Sequence, residues 1–168
     1  SSADVFITTQ ALADSTGNTL STISTSGLVS FQPAGSTFIG ATRLRFSVDA
    51  GSFLVGTSSA VANYTSTFNL DRPVVVSADA EIYANAVTVN IGADITSRGA
   101  NGAVEIGSTA TSTLNSEILS VGSVSVFGDS IRLGAGSDIV TTGLGSEIML
   151  KARGWIDVVN TTATNVQS

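Results

Sequence analysis

Few side chains in this sequence could do chemistry, and most of those are carboxylates. The 168 residues include 13 Asp and Glu, seven Lys and Arg, and neither Cys nor His. Disulfides, haem, zinc fingers, iron–sulfur clusters and Cys or His nucleophiles are therefore excluded. The net charge of −6 argues against binding to nucleic acid, because that binding relies on basic residues that displace counterions from phosphates. We expect no cofactor.

The carboxylates offer two kinds of site. Asp94 and Asp138 are 44 residues apart, and an isoleucine follows each of them. They could begin a calcium site. An aspartate at a turn, however, usually accepts hydrogen bonds from turn amides. We favour that capping interpretation, since the dense Gly/Asp repeats of calcium-binding solenoids are absent. Asp129 with Asp138, or Glu105 with a neighbouring Asp, could form a pair of acids for glycan cleavage. Among 13 acids some will be close by chance, so we expect no enzyme.

One aromatic residue stands beside two of the seven basic residues. Trp155 follows Lys151 and Arg153 closely, and an exposed indole ring near cations could stack on a sugar or on a partner chain. The alternative, which we favour, is that the ring covers the C-terminal end of the fold. These three residues are the candidate contact with a glycan or a partner.

The residue types that must position these side chains favour strands. Glu occurs four times and Gln three times, whereas Ser and Thr together number 46. Side chains branched at Cβ lose rotamer freedom in helices and pack well on sheets. Short runs that are apolar at the first and third positions recur between Gly, Asn, Asp and Ser, which is typical of half-buried strands. Such runs are Leu44–Phe46, Val87–Val89, Val104–Ile106, Val124–Val126, Ile131–Leu133, Ile148–Leu150 and Ile156–Val158.

The chain also repeats itself without a gap at an offset of 44 residues. Residues 83–106 match residues 127–150 in their apolar positions, and the unit divides again into segments of about 22 residues. A period near 22 is typical of a β-solenoid, in which stacked coils share one core. The pairs expected to stack two coils apart are Tyr83/Phe127, Val87/Ile131, Val89/Leu133, Ile95/Ile139, Val104/Ile148 and Ile106/Leu150.

We therefore predict an all-β fold, a right-handed parallel β-helix with coils of about 22 residues. A Greek-key sandwich also fits the spacing of the turns, but it does not explain the 44-residue repeat. Residues 1–70 are predicted as an irregular cap or first coils, and residues 71–168 as the regular coils. No apolar run is long enough for a helix that spans a membrane.

The regular part carries a resemblance to a known family. Residues 124–139 read VSVFGDSIRLGAGSDI, and the runs GSEIMLKA and GWIDVV follow. This text resembles the repeats of filamentous-haemagglutinin-like adhesins, and the resemblance covers about residues 72–159. It implies a right-handed parallel β-helix on a bacterial surface, with an extracellular structural or adhesive role and no catalysis.

A solenoid has two open ends, and this sequence protects neither. Residues 158–168 contain no charge and no Pro, which are the devices that block exposed strand edges. At the other end, Val5, Phe6 and Ile7 form a candidate strand that could add to the edge of a neighbour. We therefore predict association of copies into a fibre or surface layer, or an adhesin stalk.

The start of the chain bears on its location. It begins Ser1-Ser2-Ala3 and its single Met is Met149, so we expect a processed chain, most simply a secreted one whose signal was removed. The predicted place is the cell surface or the extracellular space. Two alternatives stay open: a glycan-binding module, which needs an exposed aromatic row along one face, and a polysaccharide-cleaving enzyme, which needs an acidic cluster beside an Arg in a groove.

Overall fold

The computed structural model describes residues 3–9, 22–33, 42–56, 62–63, 67–86, 88–108, 111–159 and 165–167. Every regular element in these ranges is a strand. The strands of the N-terminal half are β1 (Val5–Thr9), β2 (Thr22–Ser24), β3 (Leu28–Pro33), β4 (Thr42–Leu44), β5 (Ser47–Ala50), β6 (Ser52–Val55), β7 (Ala62–Asn63), β8 (Thr67–Leu70), β9 (Val74–Val76) and β10 (Ala80–Asn85). Those that follow are β11 (Thr88–Ile91), β12 (Ile95–Ser97), β13 (Val104–Ser108), β14 (Thr111–Leu114), β15 (Glu117–Ser120), β16 (Val124–Gly128), β17 (Ser130–Leu133), β18 (Asp138–Thr141), β19 (Ile148–Ala152), β20 (Ile156–Val158) and β21 (Asn165–Gln167).

The strands form three parallel sheets that the chain visits in turn. The first sheet has the order β1-β3-β6-β10-β13-β16-β19, with β7 also beside β10. The second has the order β4-β8-β11-β14-β17-β20, and the third β2-β5-β9-β12-β15-β18-β21. A typical coil gives one strand to each sheet, and the next coil pairs with it in parallel. Among the described residues the first coil gives no strand to the second sheet, and one coil gives both β6 and β7 to the first. The prediction of a parallel β-solenoid is confirmed, and the sandwich alternative is wrong.

The register gives the length of a coil. Val5 pairs with Val29 and Val124 with Ile148, steps of 24 residues. The step falls to 19 between Ser112 and Ile131, mainly because the corner between β15 and β16 is shorter than the one between β12 and β13. The coils are therefore about 24 residues long, somewhat more than the predicted 22. Strands β1 to β8 join the same three sheets, and the division of the chain near residue 70 stays a prediction.

The core lies between the sheets, where alternate side chains of each strand meet. Outward neighbours of the same strands are polar or only partly buried, which is the period-two pattern of a sheet with one dry face. The two inward columns of the first sheet are at most 2% exposed over five coils, and they consist of Val29, Phe53, Ala80, Val104 and Val124, and of Phe31, Val55, Ile82, Ile106 and Val126.

The predicted stacking pairs are confirmed in the first and third sheets and wrong in the second. In the second sheet, Val89 pairs with Ser112 and Ser112 with Ile131, so Val89 and not Val87 belongs to the column of Ile131. Val87 lies outside the described residues. The physical reason is a change of corner lengths: the corner before β17 is shorter, and the turn after it is longer by two residues. Gly136 lies within that longer turn, and its φ of 76° is a backbone conformation that glycine adopts without strain.

One inward position of the second sheet is polar. Ser112 is 0% exposed between Val89 and Ile131, and its hydroxyl has no hydrogen-bond partner among the described residues. A buried polar group without a partner costs about 1–3 kcal/mol of stability. This cost sets up a direct test.

We expect Ser112→Ala to raise the free energy of unfolding by about 1–2 kcal/mol, because it removes the unpartnered hydroxyl from the core. The matched control is Ser120→Ala, which is equally buried but whose Oγ donates to the Gly102 carbonyl oxygen at 3.2 Å. That control is expected to lose stability. Thermal unfolding followed by circular dichroism measures both, and two shifts of the same sign would contradict the prediction.

None of the described residues forms a helix long and apolar enough to cross a bilayer.

Candidate functional site

The outer side of the first sheet carries both aromatic and charged side chains. One outward column runs through Tyr83, Gly107, Phe127 and Lys151, which pair in successive coils. The neighbouring outward column contains Leu54, Glu81, Glu105, Ser125 and Met149. The stacking of Tyr83 and Phe127 two coils apart confirms the aromatic pair in the sequence repeat.

An open groove of about 260 Å³ lies at the C-terminal end of the column that contains Tyr83 and Phe127. It is lined by Ser108, Phe127, Gly128, Lys151, Ala152 and Arg153. The Nε atom of Arg153 is 3.0 Å from the Asp129 carboxylate, in an ion pair at the solvent-exposed edge. Such exposed pairs contribute little to stability. Here the pair holds the guanidinium at the rim of the groove.

The sequence-predicted contact residues are only partly brought together. Lys151 and Arg153 line the groove, while Trp155 is not among its lining residues. Trp155 lies in the corner between β19 and β20, is 49% exposed, and accepts a hydrogen bond from the amide of Ile131 through its carbonyl oxygen. The aromatic ring in the groove is that of Phe127.

Carboxylates on this face lie close to one another. The Tyr83 hydroxyl donates to Oε2 of Glu105, and Glu105 pairs in register with Glu81 of the preceding coil. Partial burial, followed by the nearby charges of Glu105 and Asp79, raises the pKa of Glu81 above its usual value of 4.5. The ionised form of Glu81 is therefore disfavoured in the folded chain.

This shift predicts a pH-dependent effect of Glu81→Gln. Because the folded pKa exceeds the unfolded one, ionised Glu81 reduces stability once the pH rises through the folded pKa, and it has no such effect below the unfolded pKa. The variant is expected to melt at a higher temperature than the parent at pH 7 and at the same temperature at pH 3. Glu117→Gln, an exposed position of the third sheet, is the control. An equal shift at both pH values would contradict the electrostatic origin.

The proposed acidic sites do not assemble. Asp94 Oδ1 accepts the amide of Glu117 at 3.0 Å, so the capping interpretation of this residue is confirmed. Asp138 lies in the third sheet and Glu105 in the first, while Asp129 pairs with Arg153. Among the described residues no three acidic side chains form a group that could hold a metal ion. The acids that do lie close together are Glu81 and Glu105 on the first sheet, with Asp79 near Glu81.

The outer side of the second sheet is a polar ladder. Thr67, Thr88 and Thr111 pair in successive coils. Beside them, Nδ2 of Asn90 donates to Oδ1 of Asn69 at 2.8 Å, and Nδ2 of Asn69 donates to the Thr67 hydroxyl at 3.1 Å. The first hydrogen bond joins side chains one coil apart, and the second joins side chains of the same strand.

The candidate self-association strand is in place within its own chain. Val5, Phe6 and Ile7 form most of β1, the outermost strand of the first sheet, and pair with β3. Val5 and Ile7 contact the core, whereas Phe6 is 67% exposed. One edge of β1 thus faces the end of the solenoid.

The fold defines the chain as a parallel β-solenoid whose three sheets face solvent on their outer sides. No model of a known protein family matches it, and neither the curated proteins nor the solved structures give a match.

Sequence reasoning did not assign Phe127 and Tyr83 to the candidate site. The signal was present, because both are the aromatic members of the 44-residue repeat. Their proximity in one column emerges only when the register of the coils is known.

Proposed function

We propose that the chain is a non-catalytic extracellular structural module whose solenoid ends associate with further copies, as a fibre or surface layer or as the stalk of an adhesin. The observation that carries this proposal is the loss of burial in the inward columns of the last coil. Ile131 and Leu133 are at most 1% exposed. Ile156 and Val158, which continue their columns in β20, are 45% and 53% exposed.

The first coil has a complementary surface. In β1, Val5 and Ile7 are only partly buried, and Phe6 is 67% exposed. In β19 the same inward–outward–inward order occurs as Ile148, Met149 and Leu150. These two five-residue strands present equivalent patterns at opposite ends of the first sheet.

A second copy stacked in register would continue both patterns. Its Val5 would follow the column that ends at Ile148, and its Ile7 the column that ends at Leu150. Its Phe6 would lie beside Met149, which is 46% exposed. Contacts between methionine sulfur and aromatic rings are favourable, so two exposed apolar side chains would become buried together.

The edge strand β1 carries nothing to prevent such pairing, and β19 carries one charge, that of Lys151. β1 has the sequence VFITT, without charge or Pro, and isolated parallel edges of this kind are templates for another chain. The resemblance of residues 124–158 to adhesin repeats supports the extracellular location.

The test compares the full chain with a variant of its C-terminal end. We expect the mass of the parent to rise with concentration in light scattering, with linear particles in electron micrographs. Ile156→Asp combined with Val158→Asp should remain monomeric, because two charges would enter the apolar interface.

The matched control places the same two charges on outward mid-body positions, as Thr96→Asp with Thr113→Asp. This control is expected to associate like the parent. A parent that is monomeric at all concentrations, or a control that loses association equally, would contradict the proposal.

A further inference from the structure

A second surface, separate from the solenoid ends, is built on the outer side of the first sheet. Its centre is the column of Tyr83, Gly107, Phe127 and Lys151. Because neighbouring parallel strands are about 4.8 Å apart, the two rings stand on strands about 10 Å apart along the solenoid axis.

The ring of Tyr83 is held against the sheet. A Cβ atom at Gly107 would lie 2.7 Å from Cδ1 and 3.1 Å from Cε1 of this ring, so the ring occupies the space above the glycine. At its tip, the hydroxyl donates to the carboxylate of Glu105. The glycine and the glutamate together fix a ring that is only partly buried and offers apolar surface to solvent.

Phe127 supplies the second ring. It is partly exposed in β16 and lines the open groove with Lys151 and Arg153. The strand between those of the two rings adds only Gly107 to this column, and the Tyr83 ring covers that glycine. No other side chain therefore interrupts a ligand lying along the column.

Polar groups flank the rings on both sides. Glu81, Glu105 and Ser125 form the adjacent outward column, and the Asp129–Arg153 ion pair lies at the rim of the groove. Aromatic platforms that are flanked by hydrogen-bonding side chains suit ligands with apolar faces and hydroxylated edges. Pyranose sugars have this chemistry, since their C–H faces pack on rings and their hydroxyls donate to carboxylates.

We infer that this column binds a neutral polysaccharide that lies along the solenoid axis. Three carboxylates border this strip of two rings, those of Glu81, Glu105 and Asp129. The two cations, Lys151 and Arg153, lie at its C-terminal end, and the whole chain carries a net charge of −6. A polyanion would therefore be repelled over most of the strip. The apolar surface is only one residue column wide, which favours a thin extended chain over the broad apolar core of a protein interface.

Affinity electrophoresis tests this inference. The full chain would be run in native gels that contain hydroxyethylcellulose, glucomannan, xyloglucan or dextran, with polygalacturonate and heparin as charged comparisons. At least one neutral polymer is expected to retard the parent. Phe127→Ala and Tyr83→Ala should each weaken retention roughly tenfold, which is the contribution of one stacked ring.

Three variants show whether retention depends on the two rings of this column. Phe127→Trp should retain the polymer at least as well as the parent, because it supplies a larger platform. Leu144→Ala, which removes an exposed apolar side chain between β18 and β19, should leave retention unchanged. The Ile156→Asp, Val158→Asp variant should also bind, so that failure of end association and failure of glycan binding are distinguishable.

Several results would overturn the inference. They are no retention by any neutral polymer, retention that both alanine variants keep, and retention by the charged polymers alone. Capture of a protein partner that depends on Tyr83 and Phe127, without retention by a neutral polymer, would assign the strip to a protein instead.

Discussion

Phe53→Ala is expected to lower the free energy of unfolding by about 3–5 kcal/mol, which is the usual cost of deleting a buried phenylalanine ring. Phe53 is 1% exposed, and its ring centre is 5.8 Å from that of Phe31. The ring of Phe31 is in turn 5.3 Å from that of Phe46. The next residue in the column of Phe53 is Ala80, whose single methyl group cannot fill the cavity that the variant would leave.

Thermal unfolding followed by circular dichroism checks this expectation. For a chain of this size the loss corresponds to a decrease of roughly 6 to 20 °C in Tm. Leu54→Ala is the control, since Leu54 is the outward neighbour on the same strand and should cost far less. Equal losses for both variants would mean that the inward and outward faces of β6 are not distinguished as described.

The inward positions of this fold could be predicted from the sequence alone. Val104 and Ile106 alternate with the polar Glu105, and a strand with one dry face permits only one assignment of such a pattern. Ile148 and Leu150 take the same assignment from the 44-residue repeat, although Met149 between them is apolar. Their stacking two coils apart follows from the gapless repeat, and the register confirms it. Local pattern and coil-to-coil pairing agree wherever the corners keep their length.

The prediction of stacking pairs was wrong in the second sheet, where the corners before and after the strand differ in length in opposite directions. Ile131 follows Val126 by five residues, whereas Val89 follows Ile82 by seven, and the turn that contains Gly136 restores the difference. The total of 44 residues is therefore the same in both copies, although the second sheet is shifted by two. A shift of two keeps the same side of a strand inward, so the hydrophobic pattern alone could not reveal it.

The candidate site was harder to predict than the core. Lys151, Arg153 and Trp155 are close in sequence, but neighbours on an outer face of a solenoid are usually one coil apart. Phe127 and Lys151 are 24 residues apart in the chain and pair directly in the first sheet. A search for clusters along the sequence therefore finds corners, whereas the outer faces require the register.

The second large effect is expected at a corner between the third and first sheets. Gly122 lies between β15 and β16, directly against the backbone of the coil before it. A Cβ atom at this position would overlap the carbonyl oxygen of Gly102 and lie 2.7 Å from its carbonyl carbon. These are backbone atoms, so the clash cannot be relieved by rotation of a side chain.

Gly122→Ala should consequently cost about 3 kcal/mol, at the upper end of the usual cost of overpacking. To accommodate the methyl group, the two coils must separate locally, which would stretch the hydrogen bond from the Val104 amide to the Ser123 carbonyl oxygen, now 3.0 Å long. Faster hydrogen exchange at the Val104 amide should accompany the lower Tm.

Gly92→Ala is the matched control: its methyl group would be 3.3 Å from the Leu70 carbonyl oxygen, and its stability should stay within about 1 kcal/mol of the parent. If Gly122→Ala melted like the parent, the corners would not set the spacing of the coils, and close backbone approach would not explain why glycine occupies this position.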